Sequence, residues 1–155
     1  MEPLFVGQFE HQLDEKGRLA IASPFRKALL VTKDKRLVVT NFRVESIPIL
    51  EVYPYPSWLR LTERIRQQPP FDPRVQRFNR YYIARAHLCE LDGQGRILIP
   101  PRLREYAHLD RSVVVMAAGG GDRLQIWDRN AWLEIVERDD RHIAENPEEF
   151  HGMAL

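Results

Sequence analysis

Short runs of alternating apolar and polar residues recur along the chain, and glycine, proline or aspartate separates most of them. A period of two residues predicts half-buried strands, and the separating residues predict tight turns. Longer stretches with apolar residues three and four positions apart predict helices. Strands are predicted at residues 9–13, 18–21, 36–40, 47–53, 85–91, 96–99, 112–117 and 123–127. Helices are predicted at 25–30, 58–65, 101–106 and 129–140, with a linking helix near 73–85.

One pattern of aspartate, glycine and arginine at fixed spacing occurs twice. The run DEKGRLAI begins at Asp14, and the similar run DGQGRILI begins at Asp92, 78 positions later. Each run is predicted to form the turn of a hairpin between two short strands. Further along, LEVY at 50–53 corresponds to LQIW at 124–127, now 74 positions apart. Two copies of one unit predict a pseudo-twofold axis that relates the two turns.

The predicted fold is α+β and mainly β, with the two copies interlocked into one domain and flanked by helices. Each copy alone has too few strands to bury both faces of its own sheet, so the copies must pair with each other or with other subunits. Trp58 and Trp132, at equivalent positions, are predicted to anchor the core. The predicted boundaries are 8–57 for the first unit, 58–85 for the linking helical segment, 86–129 for the second unit and 130–155 for the C-terminal helix and tail.

The composition is that of a soluble globular protein, since 44% of the 155 residues are hydrophobic and 29% are charged. No run approaches the roughly 18 apolar residues that a membrane-spanning helix needs. The first residues lack the basic start and apolar stretch of a secretory signal. Cys89 is the single cysteine, which rules out an internal disulfide and predicts a cytosolic protein. Only His87 lies close to it in sequence, so no metal site is predicted.

The charge of the chain is nearly balanced but unevenly distributed. The net charge is only +1, yet 19 of the 23 basic residues are arginine, whose planar fork of donors suits phosphate and guanine. Residues 60–85 hold seven arginines against two acids, whereas residues 134–149 hold seven acids against two arginines. A basic face and an acidic face are therefore consistent with the near-neutral total.

The repeated turn accounts for its aspartate and glycine but not for its arginines. Aspartate caps turn amides, and glycine adopts backbone conformations that other residues disfavour. The arginines that follow each glycine, and those eight residues later, could form local ion pairs or could contact phosphate or bases. No nucleophile–base set or paired acid and base is apparent, so the sequence predicts a binding protein and not an enzyme.

The two repeated runs at 14–19 and 92–100, together with 75–77 and the Tyr-Pro-x-Pro-x-Trp element at 53–58, closely resemble the MraZ family. MraZ proteins are bacterial transcriptional regulators built from two AbrB-like (SpoVT–AbrB) half-domains, and the resemblance covers residues 6–135. It implies two AbrB-like units of swapped-hairpin, barrel-like form. The family's first copy usually has proline at the position of Ala22, while the second copy keeps Pro100. Pro24 is expected to restore the helix start.

The resemblance also implies roles for individual residues. The arginine of each motif contacts DNA in the family, and the basic residue of the first motif contacts phosphate. The implied DNA-binding residues are Arg18, Arg96 and Lys16; the residues that shape the turns are Asp14, Gly17, Asp92 and Gly95; Arg26 and Arg104 are possible supporting residues.

The implied function is sequence-specific binding of double-stranded DNA, without a cofactor, by a repressor-type regulator. Family members form ring-like oligomers, here expected to be octamers or larger. They bind short direct repeats upstream of their own operon, the cluster of division and cell-wall genes. The implied location is the cytoplasm, in association with the nucleoid, and not a membrane. The alternative is an antitoxin-like AbrB interaction module that binds a protein partner through its C-terminal tail, where Phe150 and Met153 are apolar.

Overall fold

The computed structural model describes residues 4–153, and it places a six-stranded antiparallel sheet beside a separate two-stranded ladder. The strands are β1 (Gln8–Gln12), β2 (Arg18–Ala20), β3 (Arg36–Val44), β4 (Ile47–Pro54), β5 (His87–Glu90), β6 (Arg96–Leu98), β7 (Ser112–Ala118) and β8 (Arg123–Asp128). The helices are α1 (Ser23–Leu30), α2 (Tyr55–Arg66), α3 (Pro73–Phe78), α4 (Pro101–Tyr106) and α5 (Arg129–Glu145), and a π-helical turn spans Asn79–Ile83. The predicted α+β class is confirmed.

The order of the strands shows how the two copies interlock. The large sheet runs β1-β7-β8-β4-β3-β5, and the small ladder pairs β2 with β6. If each strand of β1–β4 is exchanged with its equivalent in β5–β8, the same order is obtained, read from the other edge of the sheet. A pseudo-twofold axis therefore passes between β4 and β8. Glu51 lies opposite Gln125 in that pair of strands, and these residues are 74 positions apart, the offset of the repeat. Neither copy therefore has a sheet of its own.

The predicted hairpins around the two turns are wrong. β1 pairs with β7 and β5 pairs with β3, while β2 and β6 pair with each other. β2 and β6 have only three residues each, and the central ones, Leu19 and Ile97, are fully buried. Pairing with the equivalent strand places these two side chains together in the core shared by both copies. Each turn thus carries the chain from the large sheet to the ladder.

The main core lies between the large sheet, the ladder, α1 and α4. One cluster of buried side chains joins these elements across both copies, and it includes Leu19, Phe25, Leu50, Ile97, Leu103 and Ile126. Because both copies supply this cluster, its apolar area is removed from water only when both are present. No helix within residues 4–153 is long and apolar enough to span a membrane.

The other face of the large sheet is covered by α2 and the π-helical turn on one half and by α5 on the other. Trp58 is buried with Tyr53 and Tyr82, and Trp132 packs partly buried against Trp127 with the ring centroids 5.4 Å apart. The predicted tryptophan anchors are therefore confirmed. Asp128 caps α5 as expected, since its carboxylate accepts a hydrogen bond of 3.1 Å from the backbone N–H of Ala131.

A buried polar network lies on this face at the pseudo-twofold axis. Glu51 is 2% exposed and accepts hydrogen bonds from Arg123 Nε (3.0 Å), from Gln125 Nε2 (2.8 Å) and from the hydroxyl of Tyr82. Burial raises the pKa of Tyr82, so its hydroxyl remains a donor. The repeat supplies glutamine opposite the glutamate, which avoids the repulsion of two buried carboxylates.

The linking segment differs from the single predicted helix, because α3 ends at Phe78 and the chain continues as the π-helical turn. Two buried side chains of β3 hold this turn: Thr40 Oγ1 donates to the carbonyl of Tyr82 at 2.6 Å, and Asn41 Nδ2 donates to that of Tyr81 at 3.0 Å. The predicted loose tail begins at Asn146, after α5, and forms turns as far as Met153; its last two residues lie outside the described range.

Candidate nucleic-acid interface

The first repeated turn is organised by the carboxylate of Asp14. Its Oδ1 atom accepts hydrogen bonds from the backbone N–H groups of Lys16 (2.9 Å) and Arg18 (2.8 Å), and its Oδ2 atom accepts one from Arg18 Nε at 2.5 Å. Gly17 closes the turn with a φ of +82°, a left-handed conformation that glycine adopts without steric cost. The aspartate therefore orders both the backbone of the turn and the arginine side chain.

The second turn reproduces this arrangement atom for atom. Asp92 Oδ1 accepts from the backbone N–H groups of Gln94 (2.8 Å) and Arg96 (2.9 Å), and Oδ2 accepts from Arg96 Nε at 2.9 Å. Gly95 has a φ of +74°. Both turns thus use the aspartate to hold the arginine by Nε.

The ion pairs leave the two terminal nitrogens of each guanidinium group without a hydrogen bond among the described residues. Within residues 4–153, the hydrogen bonds of the Arg18 and Arg96 side chains involve Nε alone, and the two side chains are 32% and 27% exposed. The backbone N–H of Arg18 holds the pKa of Asp14 below its ordinary value, and that of Arg96 does the same for Asp92. The carboxylates are therefore ionised at neutral pH, and the Nη1 and Nη2 atoms remain as a two-donor fork.

The β2–β6 ladder places both arginines on one face. Arg18 lies opposite Leu98, and Arg96 lies opposite Ala20, while the intervening Leu19–Ile97 pair faces the core. The strand spacing and the rise per residue put the α-carbons of the arginines about 8 Å apart. Leu98 is 53% exposed on the same face, beside Arg18. Sequence reasoning missed Leu98 as part of this surface, although its alternation with the buried Ile97 indicates it.

Arg26 and Arg104 support the turns crosswise. A Cβ atom added at Gly17 would lie 2.5 Å from Cζ of Arg104, and one added at Gly95 would lie 2.6 Å from Cδ of Arg26. Each supporting arginine therefore packs against the turn of the other copy. Arg104 is further held by a hydrogen bond of 3.1 Å from its Nε to the carbonyl of Ile99.

The other residues that the sequence singles out lie outside the two ion pairs. Lys16 is exposed on the first turn. Ala22 has φ −56° and ψ 143°, nearly the same as Pro100 at −57° and 143°, so the missing proline does not change the start of α1.

Cys89 is partly buried, which raises the pKa of its thiol to about 12, and His87 is exposed. Among residues 4–153, no group of three or more His, Cys, Asp or Glu side chains could hold a metal ion.

Substituting Gly95 by alanine is expected to destabilise the protein by about 1–3 kcal/mol and to displace the second turn. The alanine would need a left-handed backbone conformation, which costs roughly 1–2 kcal/mol, and its Cβ would collide with Arg26. Gly93→Ala is the matched control in the same turn, because a Cβ there meets no atom within 4 Å. Urea unfolding of both variants measures the difference, and equal stabilities would contradict the backbone strain expected of alanine at position 95.

Comparison with known proteins assigns the chain to a family. A family model described as "MraZ protein, putative antitoxin-like" matches twice, at residues 4–81 and 82–150. A protein of Thioalkalivibrio sulfidiphilus named transcriptional regulator MraZ is 42% identical over 131 residues, covering 84% of each chain. A protein of the same name from Pseudomonas aeruginosa strain LESB58 is 41% identical over 155 residues, covering 98% of this chain and all of its own. One from Moorella thermoacetica is 39% identical over 142 residues, covering 91% and 93%. This chain belongs to the MraZ family of transcriptional regulators.

Proposed function

We propose that this protein is a sequence-specific DNA-binding repressor that regulates the division and cell-wall gene cluster in which its own gene lies. Its relatives carry the name of transcriptional regulators, which supports the general class. The observation that carries the DNA-binding part is the ladder face, on which two arginines are held identically by two aspartates. The protein acts in the cytoplasm, at the nucleoid, without a cofactor.

The chemistry of recognition follows from the fork that each turn leaves available. A guanidinium group with two terminal nitrogens can donate to O6 and N7 of guanine or to two phosphate oxygens. Because the aspartate holds Nε, the side chain is partly ordered before DNA arrives, which reduces the conformational entropy lost on binding. Lys16 is exposed beside the first arginine and contributes a phosphate contact. Leu98 lies where an apolar side chain can contact a thymine methyl group.

One subunit with two such arginines binds DNA weakly, since a good base contact contributes about 1–3 kcal/mol. A ring-like homo-oligomer, an octamer or larger, presents several ladder faces to successive short direct repeats. Linkage of the faces then increases the affinity without any new type of contact. This arrangement also suits a chain whose net charge is only +1, because one basic face per subunit is sufficient.

The wild-type protein is expected to bind a duplex from upstream of its own operon more tightly than a scrambled duplex of the same composition. The affinity should fall steeply as the salt concentration increases. The slope of log affinity against log salt concentration should become more negative by about 0.9 for each phosphate contacted. Fluorescence anisotropy at several salt concentrations measures both quantities. Equal, weak and salt-insensitive binding to both duplexes would contradict the proposal and favour the protein-partner alternative.

A further inference from the structure

We infer that the groove beside the second turn binds the phosphate backbone of the same DNA duplex whose bases contact the ladder face. This inference rests on the proposed function and extends it to residues that the repeated motif does not contain. The groove has a volume of about 560 Å3 and lies between α1, the start of β3 and the turn at 92–95. Three cations line it: Arg26, Lys27 and Lys35.

The two lysines of the groove are available to an anion. Both are exposed, and within residues 4–153 neither ammonium group forms a hydrogen bond or a salt bridge. Asp92 is the acidic side chain that lines the groove, and its carboxylate is occupied by the N–H groups of the turn and by Arg96. The groove therefore presents positive charge without a compensating free carboxylate.

One of the repeat-equivalent positions on the other side of the axis carries the opposite charge. The backbone N–H of Leu91 donates a hydrogen bond of 3.0 Å to the carbonyl of Lys35. In the other copy, the backbone N–H of Leu13 donates one of 2.8 Å to the carbonyl of Arg111, so Lys35 and Arg111 occupy equivalent positions. Lys27, however, corresponds to Glu105 at the offset of 78.

The turns themselves carry the same net charge. The first turn has Glu15 and Lys16 where the second has Gly93 and Gln94. Just before the turns the difference is the reverse, since Glu90 precedes the second turn where Gln12 precedes the first. The difference that favours the second-turn side is therefore Lys27 against Glu105. The fold is nearly symmetric, but its charge is not.

This difference in charge is expected to determine the orientation of each subunit on DNA. A DNA duplex centred on Arg18 and Arg96 would lie next to the groove of three cations on the side of the second turn. On the side of the first turn, it would lie next to a surface of mixed charge. The backbone is attracted to the second-turn side, because phosphate contacts position a protein on the duplex without reading its sequence. Lys27 and Lys35 therefore orient each subunit, and the ladder face reads the bases.

The double variant Lys27→Gln/Lys35→Gln is expected to bind the upstream and scrambled duplexes about tenfold more weakly, with their ratio unchanged. The slope of log affinity against log salt should become less steep by about two, roughly one for each lost phosphate contact. The matched control is Lys33→Gln/Arg141→Gln, which removes the same charge at exposed positions that do not line the groove. The control is expected to keep the wild-type slope. A double variant with the slope of the control would overturn the inference.

Two further measurements separate this inference from the proposed function. Lys27→Arg/Lys35→Arg keeps both charges and is expected to restore the slope, which a merely structural role of the lysines would not require. If the wild type binds its own duplex selectively and the glutamine variant does so with an unchanged slope, the groove assignment alone fails. If the wild type shows no selective binding at all, the proposed function fails and the groove assignment fails with it.

Discussion

Cutting the chain near Pro70 is expected to give two halves that do not fold separately. The first half would contain β1–β4 and the second β5–β8, yet only the β3–β4 and β7–β8 pairings lie within one half. Each strand, β3 and β7 included, would lose a neighbouring strand that the other half supplies. The main core would also be divided, because its buried side chains come from both copies. A single hairpin with half of its core is at most marginally stable in water.

The halves can be tested as separate chains and as a nicked protein. Circular dichroism of each half alone should show no cooperative melt, and mixing the halves should restore one. As a control, a protease site placed in the 67–72 segment and cleaved after folding should leave the two pieces associated and the melt nearly unchanged. Two separately folded halves with their own cooperative transitions would refute the interlocked arrangement.

Replacing both motif arginines by alanine is expected to abolish sequence-specific DNA binding while leaving the fold intact. Two base contacts contribute at least about 2 kcal/mol for each engaged subunit, which corresponds to about 30-fold in affinity, and several subunits multiply this loss. The thermal melt should change little, because Arg18 and Arg96 are partly exposed and exposed ion pairs contribute little to the stability of a folded protein. A double variant that unfolds would instead indicate that the arginines serve the turn.

The lysine variant of the same pair tests how the arginines read DNA. Arg18→Lys/Arg96→Lys keeps the positive charges but removes the two-donor fork. If the forks contact base edges, this variant should retain affinity for the scrambled duplex and lose its preference for the upstream one. A lysine variant with full selectivity would show that the arginines act only as point charges towards phosphate.

Much of this fold could be predicted from the sequence because its signals are local. The two runs beginning at Asp14 and Asp92 fix a turn through the chemistry of aspartate and glycine, and the turns are found in matching geometry. Alternation within short apolar runs locates the strands. The 78-residue and 74-residue offsets show that a unit is repeated, from which interlocking follows because neither copy has enough strands.

What could not be predicted depends on contacts between distant residues. Alternation shows which face of a strand is buried but not which strand lies beside it. The sequence therefore predicts that β2 pairs with β1, whereas in the structure β2 pairs with β6. The crossing of Arg26 and Arg104 onto opposite turns follows from the ladder and has no local signal. The π-helical turn at 79–83 likewise depends on Thr40 and Asn41, some 40 residues earlier.

The most direct test of the central claim is fluorescence anisotropy of the wild type and of the Arg18→Ala/Arg96→Ala variant at two salt concentrations. The probes are a duplex from upstream of the protein's own operon and a scrambled duplex. We predict tight, selective, salt-dependent binding by the wild type, and loss of the selectivity in the variant although its melting temperature and oligomeric mass are unchanged. Equal binding of both duplexes by both proteins would contradict the assignment of these arginines as the groups that read DNA.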